Sequence, residues 1–192
     1  MDETLQRLAD RVAIQDCLAR YARGVDRGDW DLVRSAYHPD AWDAHGDYKG
    51  GIDGLIAWLE HRFAGVDNSM HLLGNCLIEF AGADHAFVET YFGSSRLRPP
   101  TDAERAGLQA EDMLCREAWG RYADRFERRD GQWRVAHRVV VIERAFTTVA
   151  LRGKRAGTAT TWGRRDGSDP SHEQRRLVFA SAGLASPEGP SP

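Results

Sequence analysis

The sequence predicts an α+β domain. Apolar residues recur at spacings of three and four through most of the first 64 residues, which is the period of amphipathic helices. From residue 69 the period becomes two, and Gly82-Ala83-Asp84 and Asp130-Gly131 punctuate it as turns. Helical pattern therefore precedes strand pattern instead of alternating with it, which is the α+β arrangement.

Residues 4–25 read as one helix, with Leu5, Leu8 and Val12 leading into Ile14, Leu18, Tyr21 and Val25 as a single apolar stripe. Gly24 weakens its last turn and Gly28 marks its end. Asp29 is an N-cap for a second short helix, Trp30 to Tyr37, which His38-Pro39-Asp40 stops. Residues 41–49 suit a short strand running into a turn. Gly50-Gly51 precedes a third helix over 52–64, with Ile52, Leu55, Ile56, Leu59 and Phe63 on one face. Strands are expected over 69–81 and 84–97, then a loop with one helical turn over 98–111. A second strand pair spans 112–128 and 132–147. Gly153 to Asp169 is rich in Gly, Thr, Arg and Asp, residues 170–180 suit a short helix, and Ser186–Pro192 is expected to fray. The chain divides into a domain over 1–148 and an extension over 149–192.

At 192 residues and 42% hydrophobic, the chain can build one core. Its 26 Lys+Arg against 29 Asp+Glu give a net charge of -3, so nucleic acid is a poor partner. Apolar runs such as Val139–Ile142 fall far short of the roughly 20 residues of a membrane span. Met1-Asp2-Glu3-Thr4 is acidic and lacks an apolar signal region, so a cytoplasmic location is expected. Cys17, Cys76 and Cys115 are far apart and odd in number, the pattern of reduced thiols and not of a disulfide framework or zinc knuckle. The chain has no Gly-rich phosphate loop, G-x-S-x-G or P-loop lysine, so no cofactor is expected. His38, His45 and Asp47 lie close in sequence, but no helical His pair or thiolate supports them, and no metal is expected.

A long curved sheet closed by three helices encloses a pocket, and the helical half supplies Tyr21, Trp30, Tyr37, Trp42 and Trp58 to its wall. Core packing is the ordinary role of such residues. Trp30, Trp42 and Trp58, with Trp119 on a later strand, are the aromatic candidates for substrate contact. Asp26 ends the first helix at the edge of the apolar stripe, where a carboxylate is either solvated or turned into the pocket. Asp29 and Asp31 suit the helix dipole instead. His71 lies on a strand whose alternation puts it on one face with Leu73, Asn75 and Leu77, making Asn75 a further candidate contact. A histidine on such a face is ordinarily a packed one. Paired with a buried carboxylate, it becomes a general base. On the last strand, strict alternation puts His137 with Trp133, Val135, Val139 and Val141, and Arg138 opposite. Arg138 is the better anion stabiliser and His137 has the better parity. A bulge would reverse them.

The run Ile14-Gln15-Asp16-Cys17-Leu18-Ala19-Arg20-Tyr21-Ala22-Arg23-Gly24-Val25-Asp26-Arg27-Gly28-Asp29-Trp30 resembles the opening of SnoaL-like proteins. Ser69-Met70-His71-Leu72-Leu73-Gly74-Asn75 and Asp130-Gly131-Gln132-Trp133-Arg134-Val135, followed by Arg138, extend the match over most of residues 5–145. The resemblance implies the cone-shaped half-barrel of the nuclear transport factor 2-like superfamily. Within it the chain is similar to cofactor-independent lyases such as hexachlorocyclohexane dehydrochlorinase, bile-acid dehydratase and scytalone dehydratase. That likeness implies an Asp26–His71 catalytic dyad, Tyr21 as proton donor and Arg138 as anion stabiliser. A tyrosine at position 21, where the dehydrochlorinase has lysine, argues against dehydrochlorination itself. The implied reaction is dehydration, or a related elimination or deformylation, on a hydrophobic aromatic or steroid-like substrate. Isomerisation by the same dyad is the alternative, as is a non-catalytic role as a small oxygenase subunit or ligand-binding scaffold. The tail resembles extensions that cover a neighbouring pocket in trimeric members, so a homotrimer is expected.

Overall fold

The computed structural model describes residues 3–151 and 161–185. Helices α1 (Glu3–Arg27), α2 (Trp30–Ser35) and α3 (Ile52–Phe63) lie against a curved, unclosed sheet. The strands are β1 (Tyr37–His45), β2 (Tyr48–Gly51), β3 (Asn68–Phe80), β4 (His85–Arg98), β5 (Asp112–Arg129) and β6 (Gln132–Leu151). A 3-10 turn at Asp102–Glu104 interrupts the β4–β5 connection, and α4 (Pro170–Ser181) lies in the extension. The sheet order is β2-β1-β6-β5-β4-β3. All neighbours run antiparallel except β1 and β6. This is the α+β cone expected from the sequence.

The core forms where Ile14, Leu18, Tyr21 and Val25 of α1 and Leu55 and Leu59 of α3 meet Ile78, Val88, Tyr122, Phe126 and Val135 of the sheet. Each large apolar side chain so enclosed contributes about 1.5–3 kcal/mol. Leu5, Leu8 and Val12 do not join it and remain more than half exposed. The expected single stripe is two stripes, because the step of two residues from Val12 to Ile14 turns the helix by about 200°.

Gly24 belongs to a close crossing. A Cβ there would stand 2.7 Å from a Val33 methyl and 2.9 Å from the Asp29 carbonyl. Gly28 then ends α1 with φ +68°, a conformation open to glycine. Asp29 caps α2 by accepting from the Leu32 amide at 2.9 Å.

The stretch expected to break after Tyr37 is strand instead. β1 starts at Tyr37, and Pro39 falls within it, where the pairing with β6 shifts register between Tyr37 and Trp42. A proline needs no ladder partner in such an irregularity. The single strand expected over 41–49 is the β1–β2 hairpin, turned at Gly46 with φ +67°.

The long strands carry bulges, and these decide which side chains face inward. In β3 the register shifts between Leu73 and Cys76. In β6, Val135 pairs Phe126 and His137 pairs Arg125, leaving Ala136 unpaired. Another shift lies beside Gly120, where a Cβ would meet the Val141 carbonyl at 2.1 Å.

The described part of the extension docks on the end of α1. Asp169 caps α4 by accepting from the Ser171 amide at 3.0 Å and also accepts from the Arg164 amide at 2.7 Å. Arg165 donates to the Val25 carbonyl at 2.8 Å, the Asp26 carbonyl at 3.1 Å and the Phe63 carbonyl at 3.3 Å. It thereby satisfies carbonyls that a helix end leaves without partners. The fraying expected of Ser186–Pro192 lies outside the described residues.

Candidate active site

The end of α1 and the start of β3 bring Asp26 and His71 into contact. His71 Nδ1 lies 2.7 Å from Asp26 Oδ1. The His71 backbone N–H donates to Asp26 Oδ2 at 2.7 Å, and Ser69 Oγ donates to Oδ1 at 2.8 Å. Asp26 is buried at 6% exposure. Burial works to raise its pKa, but the hydrogen bonds and charge of His71, with the Ser69 hydroxyl, outweigh this and hold it below the ordinary carboxylate value. An ionised carboxylate can only accept, so Nδ1 carries the ring proton and Nε2 keeps a free lone pair.

His71 lines a cavity of about 150 Å³ between α3 and the inner sheet face. Phe92, Tyr122, Trp58, Phe63 and Ile142 form much of its apolar wall. His45 and three arginines, Arg62, Arg96 and Arg116, also reach it. Tyr122 stacks on Phe92 with ring centroids 4.4 Å apart, and Phe92 lies 6.4 Å from the His71 ring. His71 therefore sits against an aromatic floor.

The sequence matches the model of the SnoaL-like domain over residues 6–139. The chain belongs to the SnoaL-like family. An uncharacterised protein of Mycobacterium tuberculosis is 30% identical over 138 residues, spanning 69% of this chain and 84% of its own. The SnoaL-like fold also superposes on a scytalone dehydratase-like protein from Novosphingobium aromaticivorans, with TM-score 0.63 and 18% identity, over 80% of this chain and 99% of that one. A type 2 hexachlorocyclohexane dehydrochlorinase gives TM-score 0.62 and 22% identity over 82% and 100%. At these identities the likeness is one of fold.

On this SnoaL-like scaffold the residues singled out from the sequence divide into three places. His71 and Trp58 line the cavity, and Asp26 reaches it only through its contact with His71. Tyr21 and Arg138 are beneath it, in the core. Arg138 is fully buried and holds Asp124 with two hydrogen bonds of 2.8 and 2.6 Å. Its guanidinium lies 4.3 Å from the Tyr21 ring centroid and 4.2 Å from that of Tyr122. It also donates to Tyr37 Oη at 3.1 Å, and Tyr37 donates to Asp43 at 2.7 Å. Burial works to lower the Arg138 pKa, and the Asp124 carboxylate, with Tyr37 and Tyr21, more than offsets it, while burial raises that of Asp124. Arg138 is committed to internal partners. Trp30 packs edge-on against Phe63 at 6.4 Å and is not part of the cavity wall.

Trp42, His137, Trp119 and Asn75 fall on the outer face. Trp42 and His137 are register partners and stack there, 4.7 Å apart. The unpaired Ala136 reverses the alternation, turning Arg138 inward and His137 outward. The β3 bulge does the same after Leu73. Cys76 and Ile78 point inward, while Asn75 and Leu77 are exposed. Trp119 lies over Gly93, where a Cβ would meet its ring at 2.8 Å. Trp119 and Asn75 both line an outer groove with Leu72 and Tyr91.

His45 is a cavity residue that the sequence had offered only as a weak metal ligand. Its Nδ1 is 3.7 Å from Asp43 Oδ1, and neither atom has a hydrogen-bond partner among the described residues. Among the described residues no cluster of three or more His, Cys, Asp or Glu side chains could hold a metal. No described helix is long and apolar enough to cross a membrane.

The depressed pKa of Asp26 has a measurable acid limb. Its folded value lies below its unfolded value, so the carboxylate's contribution to stability is complete above the ordinary value of 3.8 and is lost as pH falls through the folded value. Urea midpoints of wild type and Asp26→Asn are expected to differ most at neutral pH and to converge as pH falls below about 4. A gap independent of pH would remove Asp26 from the acid transition.

Proposed function

We propose that the chain is a cofactor-independent lyase in which His71, oriented by Asp26, takes a proton from carbon. The observation that carries this reading is the 2.7 Å contact of His71 Nδ1 with a buried carboxylate, His71 itself lining a cavity floored by aromatic rings. In the elimination, the C–H bond breaks toward Nε2 and its electron pair forms a carbon–carbon double bond. The bond to the leaving group on the next carbon breaks, and that group departs with its electrons. A leaving hydroxyl needs a proton. In this reading His45, which lines the same cavity, supplies it, the role that sequence resemblance had assigned to Tyr21. General-base assistance accounts for about 10²–10⁴ of such a rate. Preorganised surroundings supply the remainder.

The cavity narrows the substrate. A space of about 150 Å³ holds a benzene-sized ring, and drug-sized ligands occupy about 300–1,000 Å³. A single aromatic ring at the aromatic floor fits better than a steroid nucleus. The dehydratase-like and dehydrochlorinase neighbours in fold are consistent with this reaction type. The test is turnover of ring-bearing β-hydroxy carbonyl compounds in deuterium oxide, followed by mass spectrometry. Loss of the leaving group, abolished in His71→Ala, is expected. Deuterium uptake with no loss of mass would instead make the enzyme an isomerase. Neither change in any compound would overturn the catalytic reading.

The outer sheet face supports self-association as part of the same proposal. Met70, Leu72, Leu77 and Tyr91 are 59%, 62%, 52% and 47% exposed, and monomers rarely expose contiguous apolar patches of this kind. Light scattering is expected to give a trimer. A stable monomer would refute it.

A further inference from the structure

Three arginines line the His71 cavity, and among the described residues no carboxylate is paired with them. Arg96 on β4 is the register partner of Arg116 on β5, so the two face inward side by side. Like charges directly opposite one another on a sheet are destabilising. Arg62, from the last turn of α3, closes over the same space. None of the three has an ion pair within 4.0 Å among the described residues. Their neighbour Arg98 is different, since Glu104 holds it with two hydrogen bonds of 2.8 Å. The nearest acidic influence on Arg62 is Asp47, and it is outweighed by burial. Arg96 lies over the Phe63 ring at 5.5 Å, and Arg62 over Trp58 at 4.8 Å, so aromatic faces hold both guanidinium groups in place. Burial, and then the charges of Arg62, Arg116 and Arg98, lower the Arg96 pKa to about 10. A fold that holds uncompensated cations together in a half-buried site is arranged for an anion.

We propose that Arg62, Arg96 and Arg116 form a seat for the carboxylate of a ring-bearing ligand, whose ring enters the cavity beside His71. This rests on the lyase reading only for the identity of that ligand as the substrate. Guanidinium groups take a carboxylate through paired, charge-assisted hydrogen bonds. The carboxylate is a handle and not the reacting group, so its binding energy positions the ring for the base.

The test compares benzoate with benzamide, which share a shape and differ in charge, by titration calorimetry on the whole protein. Benzoate is expected to bind at least about tenfold tighter, a difference of about 1.4 kcal/mol. The preference is expected to shrink as salt is raised. Arg96→Met is expected to erase it while leaving benzamide binding unchanged. Because the substitution relieves repulsion between like charges, the variant should melt at or above wild type without ligand. Should Arg96→Met fail to fold, Arg116→Gln reads the same preference from the neighbouring strand. His71→Ala should keep the preference intact. Equal affinities in wild type, or a preference that survives both arginine variants, would overturn the seat. Benzoate preference without turnover of any compound would leave the seat standing and remove the lyase reading. Turnover with no preference would do the reverse.

Discussion

His71→Ala is expected to abolish turnover in a protein that still folds. The side chain removed is 9% exposed and donates to Asp26 at 2.7 Å, but Asp26 keeps the Ser69 hydroxyl and the position-71 backbone N–H as donors, so the buried carboxylate is not stranded. The reaction loses its base, a loss of about 10²–10⁴ in rate. Asp26→Asn is the sharper variant because it keeps the volume. An ionised Asp26 accepts from Nδ1, from the His71 amide and from the Ser69 hydroxyl. Asparagine has one acceptor oxygen and must turn its amide toward one of those donors. If the amide faces the ring, the proton moves to Nε2 and the lone pair that takes the substrate proton is gone. A comparable carboxylate-to-amide change in a Ser-His-Asp triad lowers kcat by about 10⁴. Steady-state kinetics beside thermal melts separate the two outcomes. A wild-type kcat in Asp26→Asn would take the carboxylate out of the mechanism.

Arg138→Met is expected to be the most damaging single change to stability, and for a reason unrelated to chemistry at the cavity. Arg138 and Asp124 both have side chains with no exposure. Removing the cation strands the carboxylate in the core, at a cost of about 3–5 kcal/mol. Replacing the pair together, Arg138→Met with Asp124→Leu, removes both buried charges and should restore most of the urea midpoint. Because Arg138 sits beneath Tyr122 and not at the cavity, the double variant is expected to keep kcat within a few-fold of wild type once folded. A double variant that folds but is inactive would return Arg138 to the anion-stabilising role that its sequence position suggested.

The two predictions separate what could be read along the chain from what could not. Helices α1, α2 and α3 follow from apolar spacing and from Asp29 and Gly28 at their ends, all of which are signals within a few residues. The β5–β6 hairpin follows from Asp130-Gly131, whose φ values of 51° and 75° are those such a turn needs. Asp26 and His71 stood out as residue types in a recognisable run, although 45 residues separate them. The faces of the strands were not legible. A period of two predicts sidedness only while every residue is paired, and the unpaired Ala136 and the irregularity after Leu73 each reverse it. Those reversals sent His137, Asn75 and Leu77 to the outer surface and Arg138 to the core. The arginines lining the cavity come from α3, β4 and β5, and His45 comes from β1. No local pattern links them. Short-range sterics and hydrogen bonding were enough to set most of the elements, and it was the resemblance to a family that paired Asp26 with His71. The cavity and its charge exist only once strand register and helix crossing bring distant side chains to one place.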